Sequence, residues 1–399
     1  MASKKFLLGI AIIFCVLYVM FVHLESSYKY YNETAGPDFS NLEQKDEVKH
    51  HTKPIVYSRE TGTSEADSSY SKFPIGSKVA IILNCEGRSG STWLSSFFWN
   101  NPNVFYVYEP LYPSSLNARA REQADLSLET GHILQLADTY KCNIEHPSET
   151  QFPMVLGRYP KYQPFLKHCD DNGNCPESLT SYCHSKSHVV QKVIRVHDIS
   201  DYLTLQREIG MPLKIIHLIR DPRPHIMSRE KLFDYMFSEG GPKYGQLSPS
   251  EQSKQRRSLC SRELANLKVG DSGVFTADQY IRLSHEEMSV DPIKWAKRLY
   301  EFVGLDFTKE TEEYIEGITH GKSLVQNGKD PDGRFAGFSV YRDTLTVLYK
   351  WMSASPKHIH EIEVECKELL DYLGYVNIYD DSLNKIAENP WPRVITDKP

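Results

Sequence analysis

The sequence has no surplus of positive charge. Its 399 residues include 46 Lys and Arg against 52 Asp and Glu, which gives a formal net charge of −6 at pH 7. A chain with this charge has no general attraction for nucleic acid or for an anionic membrane surface. Both are therefore excluded as general partners, and any affinity for an anion must come from local arginines and helix ends.

Long apolar runs are also scarce, and the run at the N-terminus has no signal-peptide cleavage site after it. Residues 6–22 are apolar apart from Gly9, Lys4 and Lys5 precede them, and no small-x-small pattern follows. This length is near the lower limit for a membrane span and exceeds the core of a usual signal peptide. Lysines on the cytoplasmic side place the rest of the chain in a lumen. We therefore predict a type II signal anchor, with cleaved secretion as the alternative.

The sequence divides into four predicted regions. A cytoplasmic tail (1–5) precedes the transmembrane helix (6–24), and a flexible stem (25–77) leads to a luminal domain (78–390). The stem is rich in Ser, Glu, Lys and Thr and has no apolar periodicity, which is typical of a flexible linker. It contains the N-x-[ST] sequon at Asn32, which we expect to be glycosylated in a lumen. The luminal domain is long enough to bury one large core.

A glycine-rich segment lacks the lysine of the nucleotide triphosphatases. Residues 84–94, Asn-Cys-Glu-Gly-Arg-Ser-Gly-Ser-Thr-Trp-Leu, follow the apolar run 79–83 and open a predicted helix. Ser91 follows Gly90 at the position where the pattern G-x-x-x-x-G-K-[ST] has its lysine. Mg²⁺-dependent ATP chemistry is therefore disfavoured.

The same segment has the features of an anion site. A strand that ends in a Gly/Ser turn and starts a helix directs several backbone N–H groups at one point, where the helix dipole favours negative charge. Ser89, Ser91 and Thr92 add hydroxyl groups, and Arg88 adds a guanidinium that can bind two oxyanion oxygens. A phosphate or sulfate fits there. The alternative is an ordinary turn whose serines cap a helix.

A second strand-to-helix junction carries another candidate anion site. The apolar run 213–219 leads directly into Arg220-Asp-Pro-Arg-Pro-His-Ile-Met-Ser228. Arg220 at the strand end and Ser228 two turns along the helix could bind a second phosphate, although R-D-P-R alone can also be a solvated ion pair. Two anion sites at the carboxyl ends of parallel strands predict a ligand that is phosphorylated at both ends.

The order of elements predicts an α/β domain with a P-loop-like, mostly parallel β-sheet flanked by helices on both faces. The predicted strands are 78–84, 104–108, 188–196, 213–219 and 279–284. The predicted helices are 91–100, 122–140, 198–209, one after Pro224, 251–267, 291–303, 309–317, 341–353 and 358–372.

The cysteine pattern predicts disulfides. Six cysteines lie outside both the apolar N-terminal run and the glycine-rich segment: Cys142, Cys169, Cys175, Cys183, Cys260 and Cys366. We expect two bridges within 142–183, with their pairing open, and one between Cys260 and Cys366. A zinc site is the rival interpretation, because His168 and His184 neighbour two of these cysteines.

The two motifs resemble those of the sulfotransferases that use 3′-phosphoadenosine-5′-phosphosulfate, and most closely the Golgi carbohydrate 6-O-sulfotransferases. In that family R-S-G-S-[ST] holds the 5′-phosphosulfate, and R-D-P-R followed by a serine holds the 3′-phosphate. The resemblance covers nearly all of residues 78–378. It implies that Arg88 to Thr92, including Ser89, Gly90 and Ser91, bind one end of this donor, and that Arg220 and Ser228 bind the other.

The resemblance also implies a cellular setting. It predicts a single-pass type II protein of the Golgi membrane that acts without a metal ion. The acceptor would be a hydroxyl of galactose, N-acetylglucosamine or N-acetylgalactosamine on a glycoprotein or proteoglycan. The choice of sugar is open, and so is a homodimer.

The resemblance implies transfer of a sulfuryl group from this donor to the sugar hydroxyl. This reaction assigns roles to further residues. Arg88 is suited to the charge that develops on the leaving phosphate. Glu109 follows the second predicted strand and is the predicted general base, with its pKa raised toward the working pH by partial burial, and His197 is the alternative base. If the first two strands are neighbours, Glu109 lies beside the anion site. The resemblance places Arg342 near the 3′-phosphate or the acceptor, with a surface pair to Asp343 as the alternative.

Two other basic residues and two departures from the family pattern bear on the site. Lys192 and Arg195 lie on one predicted strand, 188–196, and contact either the reacting groups or solvent. The family usually has Arg-Tyr-Glu-Asp-Leu where this chain has residues 284–288, Ser-His-Glu-Glu-Met, and Glu86 would repel a phosphosulfate unless it points away. The first departure leaves open a catalytically altered Golgi glycan-binding protein. A sulfotransferase with a non-carbohydrate acceptor and a P-loop phosphotransferase are further alternatives.

Overall fold

In the computed structural model, the described residues are 78–111, 128–143, 178–236, 243–319 and 339–378. The predicted tail, transmembrane helix and stem (1–77), with Asn32, lie outside these residues, as do Cys169, Cys175 and His168. Within the described ranges, every helix is too short or too polar to cross a bilayer.

Five parallel strands form one sheet, as the sequence predicts. They are β1 (Val79–Cys85), β2 (Val104–Tyr108), β3 (His188–Val193), β4 (Leu213–Ile219) and β5 (Tyr280–Ser284). The order across the sheet is β2-β3-β1-β4-β5, and all four pairings are parallel. Strands β1 to β4 are almost entirely buried, because helices cover both faces of a parallel sheet.

Twelve α-helices are described, and one of them comes next after each of the five strands. They are α1 (Ser91–Trp99), α2 (Leu128–Tyr140), α3 (Ser178–His184), α4 (Asp201–Ile209), α5 (Pro222–Met236), α6 (Pro249–Asp271), α7 (His285–Val290), α8 (Pro292–Val303), α9 (Lys309–Thr319), α10 (Thr344–Tyr349), α11 (Pro356–Glu365) and α12 (Lys367–Leu373). Short 3₁₀ turns at Tyr244–Gln246 and Lys350–Ser353 complete the set.

Several boundaries differ from the predictions for local reasons. The third strand ends at Val193, where its ladder with Asn84 of β1 ends, and does not continue to 196. The helix predicted from 341 begins at Thr344, because Asp343 caps its first amides. The last predicted helix divides at Cys366, whose backbone is not helical. Helix α7 was not predicted, and it starts with a capping box between Ser284 and Glu287.

The position of β2 differs from the expectation that it neighbours β1. It pairs with β3 instead, and β3 lies between β2 and β1. The residue after β2, Glu109, is therefore separated from the end of β1 by β3. Lys192 on β3 connects Glu109 to the first anion site, as described below.

Two disulfides lie within the described part of the chain. Cys142 is bonded to Cys183, and Cys260 is bonded to Cys366 as predicted. The first bond resolves part of the open pairing and removes Cys183 as a zinc ligand. Among the described residues, no cluster of His, Cys, Asp and Glu is arranged to hold a metal ion.

Loss of the Cys260–Cys366 disulfide is expected to destabilise the domain strongly. The bond closes a loop with a sequence separation of 106 residues. The chain-entropy relation gives about 4–5 kcal/mol of unfolding free energy for a loop of this size. Urea unfolding of the Cys260→Ser/Cys366→Ser double variant should show this loss. A change below about 1 kcal/mol would contradict the expectation.

Candidate active site

The loop between β1 and α1 has the backbone of an anion site. Arg88 and Gly90 have positive φ angles of 76° and 97°, and the Ser89 amide and hydroxyl both donate to the Glu86 carbonyl. These bonds fold the loop back on itself. A side chain at position 90 would also collide with His285, since an added Cβ would lie 2.3 Å from its Cδ2. Glycine is required here by both conformation and space.

Helix α1 begins directly after this loop. The amides of Trp93 and Leu94 donate to the Gly90 carbonyl, at 3.0 and 3.1 Å. The amides of Ser91 and Thr92 precede this first bonded turn, so they belong to the helix end that attracts anions. The predicted anion site therefore has the expected local structure, and the Ser89 hydroxyl stabilises the loop itself.

The two predicted anion sites lie against each other. Strand β4 pairs with β1, which brings the carboxyl ends of both strands to the same edge of the sheet, here called the carboxyl edge. Arg220 Nη1 donates to the Arg88 carbonyl at 2.8 Å, and Arg88 Nε donates to Ser228 Oγ at 3.1 Å. The sequence indicated both sites. Their direct contact could not be predicted, because it depends on the pairing of β1 with β4.

Three arginines concentrate positive charge at this edge. Burial, followed by the charges of Arg342 and Arg220, lowers the pKa of Arg88 to about 10. The pKa of Arg220 is also lowered, chiefly by burial, and its Nε atom is buried with no hydrogen-bond partner among the described residues. Partly buried like charges that repel one another are stabilised by a bound anion. Asp343, next to Arg342, caps α10 through the amides of Leu345 and Thr346.

Glu86 is held in ion pairs by two basic residues. Arg262 of α6 donates to it from Nε at 2.7 Å and from Nη2 at 3.0 Å, and Arg229 Nη1 lies 3.7 Å away. Burial alone would raise the pKa of Glu86, but Arg262 and then Arg229 lower it to about 2. The carboxylate is thus neutralised within the protein, which removes the repulsion expected from the sequence.

The segment that departs from the family pattern supports the second junction. Glu286 accepts hydrogen bonds from the Asp221 amide and the Tyr375 hydroxyl, each at 3.2 Å, and so holds the turn after β4. Burial and then Asp221 raise its pKa to about 7. His285 packs on Gly90 and at 5.6 Å from the Trp93 ring. Burial, followed by Arg220, His225 and Arg342, lowers the pKa of His285.

Glu109 is held in ion pairs, and the expected rise of its pKa is wrong. Lys192 Nζ lies 2.9 Å from Oε1, and Arg195 Nη1 lies 2.8 Å from Oε2. Burial alone would raise the pKa of this carboxyl, but Lys192 and then Arg195 lower it to about 2. Glu109 also has a positive φ of 44°, and its amide donates to the Lys192 carbonyl. Its carboxylate is therefore ionised throughout the physiological range.

Lys192 connects Glu109 to the anion loop. Its ammonium donates to Thr92 Oγ1 at 3.2 Å and lies 4.2 Å from the centre of the Tyr108 ring. The side chain is buried, so it is not a solvated charge at the sheet edge. From the sequence, Lys192 was predicted to contact either the reacting groups or solvent. The alternative base, His197, is exposed in the connection between β3 and α4.

Acid should destabilise the folded protein through Glu86 and Glu109. Both have pKa values of about 2 when folded, below the value of about 4.3 for an unfolded glutamate. Their stabilisation is fully present above the unfolded value and is lost as pH falls toward 2. Thermal unfolding midpoints should therefore fall steeply below pH 4. The Glu86→Gln variant should show a shallower decline, whereas Glu313→Gln on the exposed surface should match the parent. Equal declines in all three proteins would contradict this.

The fold and site define an α/β protein with two adjoining candidate anion sites at its carboxyl edge. The sulfotransferase domain family matches residues 80–324, and the chain belongs to this family of enzymes. Mouse carbohydrate sulfotransferase 5 is 24% identical over 335 residues, covering 77% of this chain and 83% of the relative. Mouse carbohydrate sulfotransferase 3 is 24% identical over 356 residues, covering 81% and 73%.

A solved structure is also similar to this chain. It is the sulfotransferase domain from the Synechococcus PCC 7002 olefin synthase, with 17% identity and a TM-score of 0.42. The match covers 75% of this chain and 96% of that domain.

Proposed function

We propose that this enzyme transfers a sulfuryl group from 3′-phosphoadenosine-5′-phosphosulfate to a sugar hydroxyl, the 6-hydroxyl of galactose, N-acetylglucosamine or N-acetylgalactosamine. The contact of Arg88 with both Arg220 and Ser228 is the observation that carries the proposal, because one ligand with two anionic groups can then bind both motifs. The similarity to two carbohydrate sulfotransferases supports a glycan acceptor.

The residues at the carboxyl edge fit the two ends of this donor. The helix end at Ser91 and Thr92, together with Arg88, would hold the 5′-phosphosulfate. Arg220 and Ser228 would hold the 3′-phosphate, and the charge of Arg342 would add to the attraction. These arginines supply the positive charge that Mg²⁺ supplies in P-loop nucleotide triphosphatases, so transfer should proceed without added metal.

The reaction requires positioning and charge stabilisation. The acceptor oxygen forms a bond to sulfur while the bond from sulfur to the 5′-phosphate oxygen breaks, and adenosine 3′,5′-bisphosphate leaves. By analogy with phosphoryl transfer, the attacking and leaving oxygens are roughly in line. Arg88 stabilises the charge on the leaving phosphate, and Lys192 orients Thr92 at the start of α1.

Glu109 receives the acceptor proton in this proposal. A low pKa makes it a weak base for the free hydroxyl. In a loose transition state, however, the hydroxyl becomes strongly acidic as its bond to sulfur forms, so a weak base suffices late in the reaction. Lys192 and Arg195 keep the carboxylate ionised and fixed in direction until then.

The proposal includes the location of the enzyme in the cell and its orientation in the membrane. Residues 6–24 would anchor it in the Golgi membrane, with the catalytic domain in the lumen and the acceptor on a glycoprotein or proteoglycan. Protease treatment of intact Golgi vesicles tests this orientation. The domain should be protected until detergent is added, and cleavage before detergent would contradict the orientation.

The direct test of the function is sulfate transfer by the purified full chain. Radiolabelled donor is offered with a panel of defined glycans in the presence of EDTA, with the Arg88→Ala variant alongside. We expect label on a glycan carrying one of the three sugars, and at least about a hundredfold less label with the variant. Label confined to protein tyrosine or lipid would overturn the acceptor class. Nucleotide and glycan binding without any transfer would favour a catalytically altered glycan-binding protein.

A further inference from the structure

Helix α5 touches the anion loop through three residues on one face. His225 Nε2 lies 2.9 Å from the Gly87 carbonyl oxygen, and Arg229 Nη1 donates to the same oxygen at 3.3 Å. Ser228, between them in sequence, accepts from Arg88 Nε. Residues three and four apart lie on the same helix face. The helix that carries Ser228 therefore also forms hydrogen bonds to the loop that carries Arg88.

His225 is the fully buried member of this group. Its side chain has no exposed area, whereas that of Arg229 is 26% exposed. A carbonyl oxygen accepts and cannot donate, so the proton of the contact must be on Nε2. The other ring nitrogen, Nδ1, lies 3.7 Å from Glu263 Oε2, and both atoms are buried without a hydrogen-bond partner among the described residues.

The role of His225 is not explained by stability alone. The ring is aimed at the peptide that precedes Arg88, and it is carried by the helix that bears the second anion site. A packing role would be filled by an apolar side chain, which would avoid burying a polar ring beside a carboxylate. The sequence placed His225 in the R-D-P-R segment but gave no sign that it would contact the loop.

We propose that His225 is a positioning residue for the donor. It fixes the Gly87 peptide to α5, and so sets the separation between the groups that hold the 5′-phosphosulfate and those that hold the 3′-phosphate. It touches neither group of the donor and acts through the loop. This inference rests on the proposed function, because it needs a donor that spans both motifs.

Calorimetric titration of adenosine 3′,5′-bisphosphate into the full chain tests this role. His225→Met removes the hydrogen bond to Gly87, and His225→Gln keeps a donor near the position of Nε2. We expect the Met variant to bind the bisphosphate about tenfold more weakly, the loss typical of one hydrogen bond, and the Gln variant to recover to within about threefold of the parent. In sulfate transfer, the Met variant should raise KM for the donor and leave KM for the acceptor unchanged.

A matched control comes from the opposite end of the sheet. His188 is buried at the start of β3, and its Nε2 lies 2.9 Å from the Val303 carbonyl oxygen, so it makes the same kind of contact away from the carboxyl edge. His188→Met should lower the thermal midpoint without changing affinity for the bisphosphate. A similar loss of affinity in this control would show that general destabilisation, and not loop position, causes the effect.

The remaining outcomes separate this inference from the proposed function. If the parent binds the bisphosphate and His225→Met binds it equally well, the positioning role is wrong while the donor assignment stands. Equal weakness of the Gln and Met variants would also overturn the role, because the hydrogen bond would then be irrelevant. If the parent itself fails to bind, the donor assignment fails and this inference fails with it.

Discussion

Replacing Arg88 with alanine is expected to lower kcat for sulfate transfer by about 10²–10³-fold, the range found when one charge-stabilising donor is removed from an active site. The guanidinium is held at the junction of both motifs by Ser228, and its own backbone carbonyl accepts from Arg220. Alanine and arginine meet the same backbone strain at the positive φ of position 88, so the effect reports the side chain. Steady-state kinetics with a defined glycan measures it.

Two further variants show whether the geometry of Arg88 or only its charge matters. Arg88→Lys keeps the charge but loses the planar fork, and we expect an intermediate loss of kcat. Arg257→Ala, on the exposed side of α6, is the control and should retain the parent activity. An Arg88→Ala variant with more than about a tenth of the parent kcat would contradict the assigned role.

Replacing Glu109 with glutamine is expected to lower kcat by about 10²–10⁴-fold, because an amide cannot accept the acceptor proton. The parent should meanwhile lose no activity from Glu109 between pH 7 and pH 5, because a carboxyl with a pKa of about 2 remains ionised there. Initial rates across this pH range, measured for both proteins, test the two expectations together.

The same substitution should also destabilise the domain. Removing the negative charge leaves Lys192 and Arg195 without their shared partner, and breaking a buried pair in this way costs about 3–5 kcal/mol. Urea unfolding must therefore accompany the kinetics, at temperatures where the variant is folded. A folded Glu109→Gln protein with nearly parental kcat would contradict the assignment of Glu109 as the general base and would show that its role is structural.

The sequence predicted the parts of the fold that follow from local pattern. Apolar runs followed by turn residues located all five strands, and the two motifs located Arg88 and Arg220 at strand ends. The structure confirmed the parallel sheet. Apolar runs favour such a sheet because its strands are buried on both faces. The Cys260–Cys366 bond was also predicted correctly.

The remaining features depend on which elements become neighbours. The insertion of β3 between β2 and β1 brings Lys192 between Glu109 and Thr92. That ammonium reverses the expected shift in the pKa of Glu109, since a nearby positive charge outweighs burial. The pKa of Glu86 could not be predicted from the sequence either, because its partner Arg262 is 176 positions away. Long-range ion pairs of this kind leave no local signal.

The central claim is that Arg88 and Arg220 bind opposite ends of one nucleotide. Calorimetry on the full chain with adenosine 3′,5′-bisphosphate and with adenosine 5′-monophosphate tests it most directly. We predict that the bisphosphate binds at least about tenfold more tightly, because hydrogen bonds to a charged group contribute about 1.5–3 kcal/mol. Arg220→Ala should remove most of this difference. Equal affinities of the parent for the two nucleotides, or no binding of either, would contradict the account.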